Sequence, residues 1–161
     1  MPELVISNTS PLFYLHRLRQ LTLLRALYQQ IVVPGAVRDE LHAGRIQGED
    51  TPELADYDWI TVRSVQVPEF LMRITDLGLG EAQVLALALE EPGSLVILDD
   101  RFARAVAQMR HLRLTGTAGV ILKAKQEGHL EAVTPLLDRL TQMGFRLSNT
   151  VRTLILELAR E

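Results

Sequence analysis

The chain has 161 residues, 47 % hydrophobic and 23 % charged, which suffices for one domain with a proper core and argues against general disorder. It contains no cysteine, so disulfides, thiolate zinc sites and cysteine nucleophiles are excluded, and a cytoplasmic location is expected. A net charge of −3 excludes gripping nucleic acid by bulk positive charge; any such contact must use local patches, and the acidic balance suits a metal site.

The stretch from Met1 to Ser7 has no basic leader and only a short apolar run, so no signal peptide is expected. No apolar run approaches the roughly 18 residues of a membrane helix, so no membrane partner is expected. Leu4-Val5-Ile6 reads as a buried strand, ending at the turn- and cap-forming Ser7-Asn8-Thr9-Ser10-Pro11. Between Leu12 and Leu27, the recurrence of Leu15, Leu18, Leu21, Leu24 and Leu27 among polar Arg17, Arg19, Gln20 and Arg25 predicts one amphipathic helix. Ile31-Val32-Val33 is a second strand, and Pro34 sits where a helix running through Leu41 can begin. Gly44 to Asp58 looks like a mobile loop with one helical turn.

Trp59 to Val62 reads as a strand and Pro68 to Leu77 as a helix. Gly78-Leu79-Gly80 opens a strong helix over Glu81 to Leu89, where helix formers dominate. Ser94 to Leu98 is the clearest buried strand and ends on Asp99-Asp100. A helix from Arg101 to Arg110 and a strand at Arg113-Leu114-Thr115 follow. Gly116 to Gln126 is helical and stops at Gly128; Leu130 to Met143 is helical and stops at Gly144. Ser148 or Asn149 caps a final helix carrying the apolar stripe Val151, Leu154, Ile155 and Leu158.

Continuously apolar strands alternating with helices predict an α/β fold, a mainly parallel sheet with helices on both faces. Ligand sites in such sheets lie beyond the carboxyl ends of the strands, where Asn8 and Asp99 stand. Glu40, in the helix after the second strand, and Glu81, at the start of its helix, complete an oxygen-rich set. Hard oxygen donors suit Mg2+ or Mn2+, and such an ion supplies the chemistry of a hydrolytic nuclease. His16, His42, His111 and His129 are scattered, so no zinc site is expected.

Each position has a plainer reading. Asn8 and Ser10 suit helix capping, Glu81 suits the dipole of a first turn, and Asp39 rivals Glu40. Asp99 and Asp100 suit a cap pair, with Asp99 favoured for the site and Asp100 as cap or as a support behind it. Arg17, Arg19, Arg25, Arg101, Arg104, Arg110 and Arg113 read first as a solvated face and second as contacts to an RNA backbone. Thr115 and Thr117 fit strand-end and cap roles, or polarisation of a substrate. The final apolar stripe fits the core, or a surface for a dimer or a partner protein.

Taken in order, these segments resemble the motifs of PIN-domain proteins, and in particular a prokaryotic branch related to the ribonuclease toxins of toxin–antitoxin pairs. The resemblance rests on Val5-Ile6-Ser7-Asn8-Thr9-Ser10-Pro11-Leu12, on Val33 to Leu41 with Glu40 at its acidic position, on Leu79-Gly80-Glu81-Ala82 through Ala88, and on Val96-Ile97-Leu98-Asp99-Asp100-Arg101-Phe102-Ala103. Thr115 to Val120 and Gly144 to Ser148 continue it. It implies a three-layer α/β/α sandwich over residues 1–161, with 145–161 as a C-terminal helical extension. It also implies a ribonuclease that hydrolyses RNA phosphodiesters with Mg2+ or Mn2+, an antitoxin protein as partner, and a homodimer. Asn8, Glu40, Glu81 and Asp99 would be the catalytic and metal-binding residues. Ser10, Asp100, Arg101, Thr115 and Thr117 would support them or touch substrate. Many active PIN nucleases carry aspartate where this chain has Asn8, which motivates the alternative of a catalytically weakened module that binds nucleic acid or protein.

Overall fold

A computed structural model describes residues 4–161. Its sheet is built from β1 (Val5–Ser7), β2 (Ile31–Pro34), β3 (Ile60–Arg63), β4 (Leu95–Ile97) and β5 (Arg113–Thr115). All pairings are parallel, in the order β3-β2-β1-β4-β5. Every residue of β1, β2 and β4 is buried, whereas the edge strands β3 and β5 are only partly covered. Double-faced burial is what makes the central strands read as unbroken apolar runs. The result is a three-layer α/β/α fold, as expected from the alternation of elements.

The helices are α1 (Thr9–Arg17), α2 (Leu23–Tyr28), α3 (Gly35–Ile46), α4 (Glu69–Met72), α5 (Leu79–Glu90), α6 (Arg101–Met109), α7 (Thr117–Gln126), α8 (Thr134–Gln142) and α9 (Asn149–Leu158). Helix α5 lies against β1, β2 and β4 and packs on α3, while α7 packs on α2 and α9. No helix of the described residues is long and apolar enough to cross a membrane.

The expected single helix from Leu12 to Leu27 is two helices. Leucines at every third position advance 300° per step, so five of them cannot share one face of a 3.6-residue helix. A break at Arg19, which adopts the left-handed conformation (φ 60°), lets Leu15, Leu18, Leu21, Leu24 and Leu27 all be buried. Arg139 donates to the carbonyls of Arg17 (3.3 Å) and Leu18 (3.4 Å), which the break leaves free.

Other boundaries shift for local reasons. Helix α3 runs on to Ile46, through Gly44, and the segment after it is fastened rather than loose in its contacts. Buried Thr51 donates to the Leu41 carbonyl (2.8 Å), and His16 meets Asp50 (2.8 Å). A 3-10 turn at Leu54–Asp56 is the helical turn expected there. The helix expected over Pro68 to Leu77 is confined to the four residues of α4.

The helix expected from Leu130 begins only at Thr134, because Pro135 in its first turn cannot continue an upstream helix. Glu161 caps it, accepting from Val133 N (2.7 Å), Thr134 N (3.1 Å) and Thr134 Oγ1 (2.6 Å). Those donors, the Thr134 hydroxyl foremost, hold the Glu161 carboxyl down to about 2. Ser148 caps α9 as expected, through Val151 N. The α9 stripe divides: Ile155 is buried, but Val151, Leu154 and Leu158 stay about half exposed.

The chain steps outward from β1 to β3 and then returns to place β4 on the other side of β1. That reversal opens a crevice at the carboxyl ends of β1 and β4. Ser7 pairs with Ile97, and the next amide, Asn8 N, donates to Ile97 O (3.0 Å). Asn8 and Asp99 therefore stand just past the last paired residues.

Candidate active site

Asn8 occupies the N-cap position of α1, yet its side chain makes no cap bond. It is 4 % exposed, and its Oδ1 has no hydrogen-bond partner. The only other such buried atom among the described residues is Ser94 Oγ, which lies just before β4, at the opposite end of that strand. Leaving a buried acceptor unpaired costs about 1–3 kcal/mol. The capping role expected of the Asn8 side chain is thus replaced by an acceptor held ready for a donor or a cation.

The two residues after Asn8 reach two different acids. Thr9 donates its hydroxyl to Glu40 Oε2 (2.6 Å), and Ser10 donates to Asp99 Oδ2 (2.9 Å). Ser10 is therefore an acid-holding residue rather than a cap. Asp99 also accepts from Thr117 N at Oδ1 (2.8 Å) and from Thr117 Oγ1 at Oδ2 (2.6 Å). Thr117 is fully buried, so Asp99 is its only route to satisfying a buried hydroxyl and amide at the start of α7.

Glu40 reaches the crevice past Gly80, the second residue of α5, which has no side chain to block it. A methyl group at Gly80 would stand 2.5 Å from Glu40 Oε1 and 3.4 Å from Asn8 Oδ1. These three groups share one small space, closed by the bare glycine. Asp39 turns elsewhere, pairing with Arg38 (3.1 Å) and lining a shallow cleft with His42 and Glu53. Gln83, two residues beyond Glu81, accepts from Ala36 N (2.9 Å) and fixes the first turn of α3 to α5.

Glu81 lies half-buried in the first turn of α5. Burial pushes its carboxyl above the usual carboxylate range, and the charges of Glu40 and Asp100 push the same way, against its own backbone N–H. Asp100 caps α6 by accepting from Ala103 N (2.8 Å). Arg101 is exposed at the start of that helix. Arg104 is partly buried and ties strand ends together, donating to Leu98 O (2.7 Å) and Thr115 O (3.2 Å). The Thr115 hydroxyl sits against Gly119 instead of the acids. Arg110 lies over Phe70 (4.4 Å) and Arg17 over Phe13 (4.6 Å).

A metal-free consequence follows from the Glu81 shift. Its folded pKa is above the unfolded value of about 4.5, so its contribution to stability is complete below that value and is lost as pH rises through the folded pKa. Glu81→Gln is expected to melt higher than the native protein at pH 7 in chelator, and no higher at pH 4. Thermal unfolding at the two pH values checks this, and a lower melting point at pH 7 would contradict it.

Among the described residues, no three histidine or acidic side chains form a ready metal cage. The donor set nevertheless fits one hard cation: an unpaired buried amide oxygen, a carboxylate oxygen beside it, and acids whose mutual repulsion a cation relieves. Mg2+ is ordinarily held by only one or two carboxylates, with waters and substrate oxygens filling the rest. Thr9, Gly80 and Gln83 as site-building residues were not signalled by the sequence pattern, since their partners lie 31 to 47 positions away or are glimpsed only through packing.

Over residues 4–161 the chain matches the family described as PIN domain. No curated protein matches it.

Proposed function

The chain belongs to the PIN-domain family, whose members are generally nucleases that use divalent metal ions, and from that premise we propose that it is a Mg2+- or Mn2+-dependent endoribonuclease. The observation that carries this reading is the unpaired, buried Asn8 Oδ1 beside Glu40 at the point where the strand order reverses. Asn8 Oδ1, Glu40 Oε1 and Glu81 would hold the ion, with the one lone pair of Asp99 Oδ1 that Thr117 N leaves over. When bound, the ion acidifies a water and stabilises negative charge on the phosphoryl group.

The chain's own residues do the rest. Thr9 fixes exposed Glu40 at Oε2 and leaves Oε1 turned toward Asn8 Oδ1 across Gly80. Asp99 holds Ser10 and Thr117, and through them the starts of α1 and α7, around the crevice. Exposed Arg101 at the head of α6 offers a phosphate contact next to the acids, the local patch a chain of net charge −3 requires. A toxin role in the cytoplasm with an antitoxin partner, and a homodimer, rest on the same family likeness. The exposed Val151, Leu154 and Leu158 of α9 are the kind of surface such a partner covers.

Asn8 favours a second reading, a weakened module that binds RNA or protein without cutting, because an amide brings no charge to the ion. One assay separates the two: cleavage of labelled single-stranded RNA in Mn2+ and in chelator, by the native chain and by Asn8→Asp. We expect native cleavage in Mn2+ only, and about tenfold more from Asn8→Asp at limiting metal, the scale of a tuned metal site. Cleavage that persists in chelator would overturn the metal reading. A silent native chain with an active Asn8→Asp variant would establish the weakened module.

A further inference from the structure

We propose that Thr9 is a positioning residue of the acidic site: its hydroxyl fixes Glu40 so that the carboxylate oxygen left free faces Asn8 Oδ1 across Gly80. The inference rests on the metal-dependent reading above and assigns to the chain a residue that the acids alone do not reveal. The Thr9 hydroxyl and Glu40 Oε2 are 2.6 Å apart and belong to residues 31 positions apart in the chain. The remaining oxygen, Oε1, is the one that a methyl group at Gly80 would touch, with Asn8 Oδ1 on the other side of that space.

Glu40 is exposed, so water satisfies it equally well in any rotamer, and stability alone gives no reason for the bond. Nor does the bond cap a helix, since Thr9 is the first residue of α1 and donates away from it. What it does is select one rotamer of a long, flexible carboxylate. The helix that carries Glu40 is itself indexed by Gln83, whose Oε1 accepts from Ala36 N in the first turn of α3 at 2.9 Å. Thr9 sets the side chain and Gln83 the backbone beneath it. An acid already ordered loses less freedom when it takes up a cation, and supports behind metal ligands commonly contribute 10–100-fold in affinity.

The test is calorimetric titration of Mn2+ into the native protein, Thr9→Val and Thr9→Ser, with a thermal melt of each in chelator. Valine keeps the shape of threonine and removes the donor; serine keeps the donor. We expect Thr9→Val to bind Mn2+ about tenfold more weakly while melting within about 2 °C of native, and Thr9→Ser to recover native affinity. Native-like affinity in Thr9→Val would overturn the positioning role and leave the metal site standing. Weakened binding in Thr9→Ser equal to that in Thr9→Val would also overturn it, because the effect would then be one of packing. A native chain that binds no Mn2+ would overturn this inference together with the metal-dependent reading.

Discussion

Asp99→Ala is expected to lower the unfolding free energy by about 3 kcal/mol, equivalent to roughly 6–12 °C in melting temperature for a chain of this size, and to reduce Mn2+-dependent cleavage at least about 100-fold. Three hydrogen bonds converge on this carboxylate, and two of them come from a residue with no exposure to water. Removing the acceptor strands the Thr117 amide and hydroxyl inside the protein, each at a cost of about 1–3 kcal/mol, with partial relief from water entering the space. Ser10 is less costly because it is only partly buried. Asp99→Asn separates the contributions. Its amide oxygen still accepts from Thr117 N, so about 1–2 kcal/mol is the expected loss, yet the charge is gone and cleavage should fall nearly as far. Chemical unfolding in chelator measures the first quantity and RNA cleavage the second. An Asp99→Ala variant as stable as the native chain would show that the carboxylate does not organise the strand ends.

Gly80→Ala should do the reverse: leave stability unchanged or slightly higher and weaken Mn2+ binding about 10–100-fold. Gly80 lies in the first turn of α5 without a positive φ, so alanine fits the backbone and gains up to about 1 kcal/mol in helix propensity. Its methyl group would stand 2.5 Å from Glu40 Oε1 and 3.2 Å from Glu40 Cδ, distances that force movement. The atom that must move is the end of a flexible, exposed side chain, so Glu40 swings into water at little cost and gives up Thr9. Asn8 Oδ1, at 3.4 Å from the new methyl group, need not shift. A thermal melt paired with Mn2+ titration reads both effects. Native affinity in Gly80→Ala would mean that Glu40 takes no part in holding the ion.

The central strands and the positions of the acids were legible because each has a one-dimensional trace. A strand buried on both faces must be apolar throughout, as in Val5-Ile6 and Leu95-Val96-Ile97, and the acid after it interrupts the run visibly. Asn8 and Asp99 could be placed at strand ends on that ground alone. How they pair could not. The fold sets Asn8 beside Glu40 across Gly80, sets Glu81 within reach of the charges of Glu40 and Asp100, and engages Asp99 with two hydroxyls and an amide.

Those arrangements depend on contacts between distant elements, which leave no periodicity. Thr9 beside Asn8 looked like one more cap-forming residue, and Gln83 looked like an ordinary helix residue, because the groups they bond come from another helix. Arg104 was one arginine among seven on the basic list, and only the convergence of β4 and β5 turns it inward to Leu98 O and Thr115 O. The break after Arg17 was hidden for a different reason. A repeat of three imitates a helical stripe over two turns and departs from it over the longer span from Leu15 to Leu27, and the chain resolves the mismatch with a left-handed Arg19.

In the proposed site, Asn8, Glu40, Glu81 and Asp99 would serve one divalent cation. Calorimetric titration of Mn2+ into the metal-stripped native protein tests it most directly, with Glu40→Gln titrated alongside. We expect saturable binding close to one ion per chain, reversed by chelator and weakened about tenfold or more in Glu40→Gln. Absence of saturable binding, or binding that Glu40→Gln leaves unchanged, would contradict it.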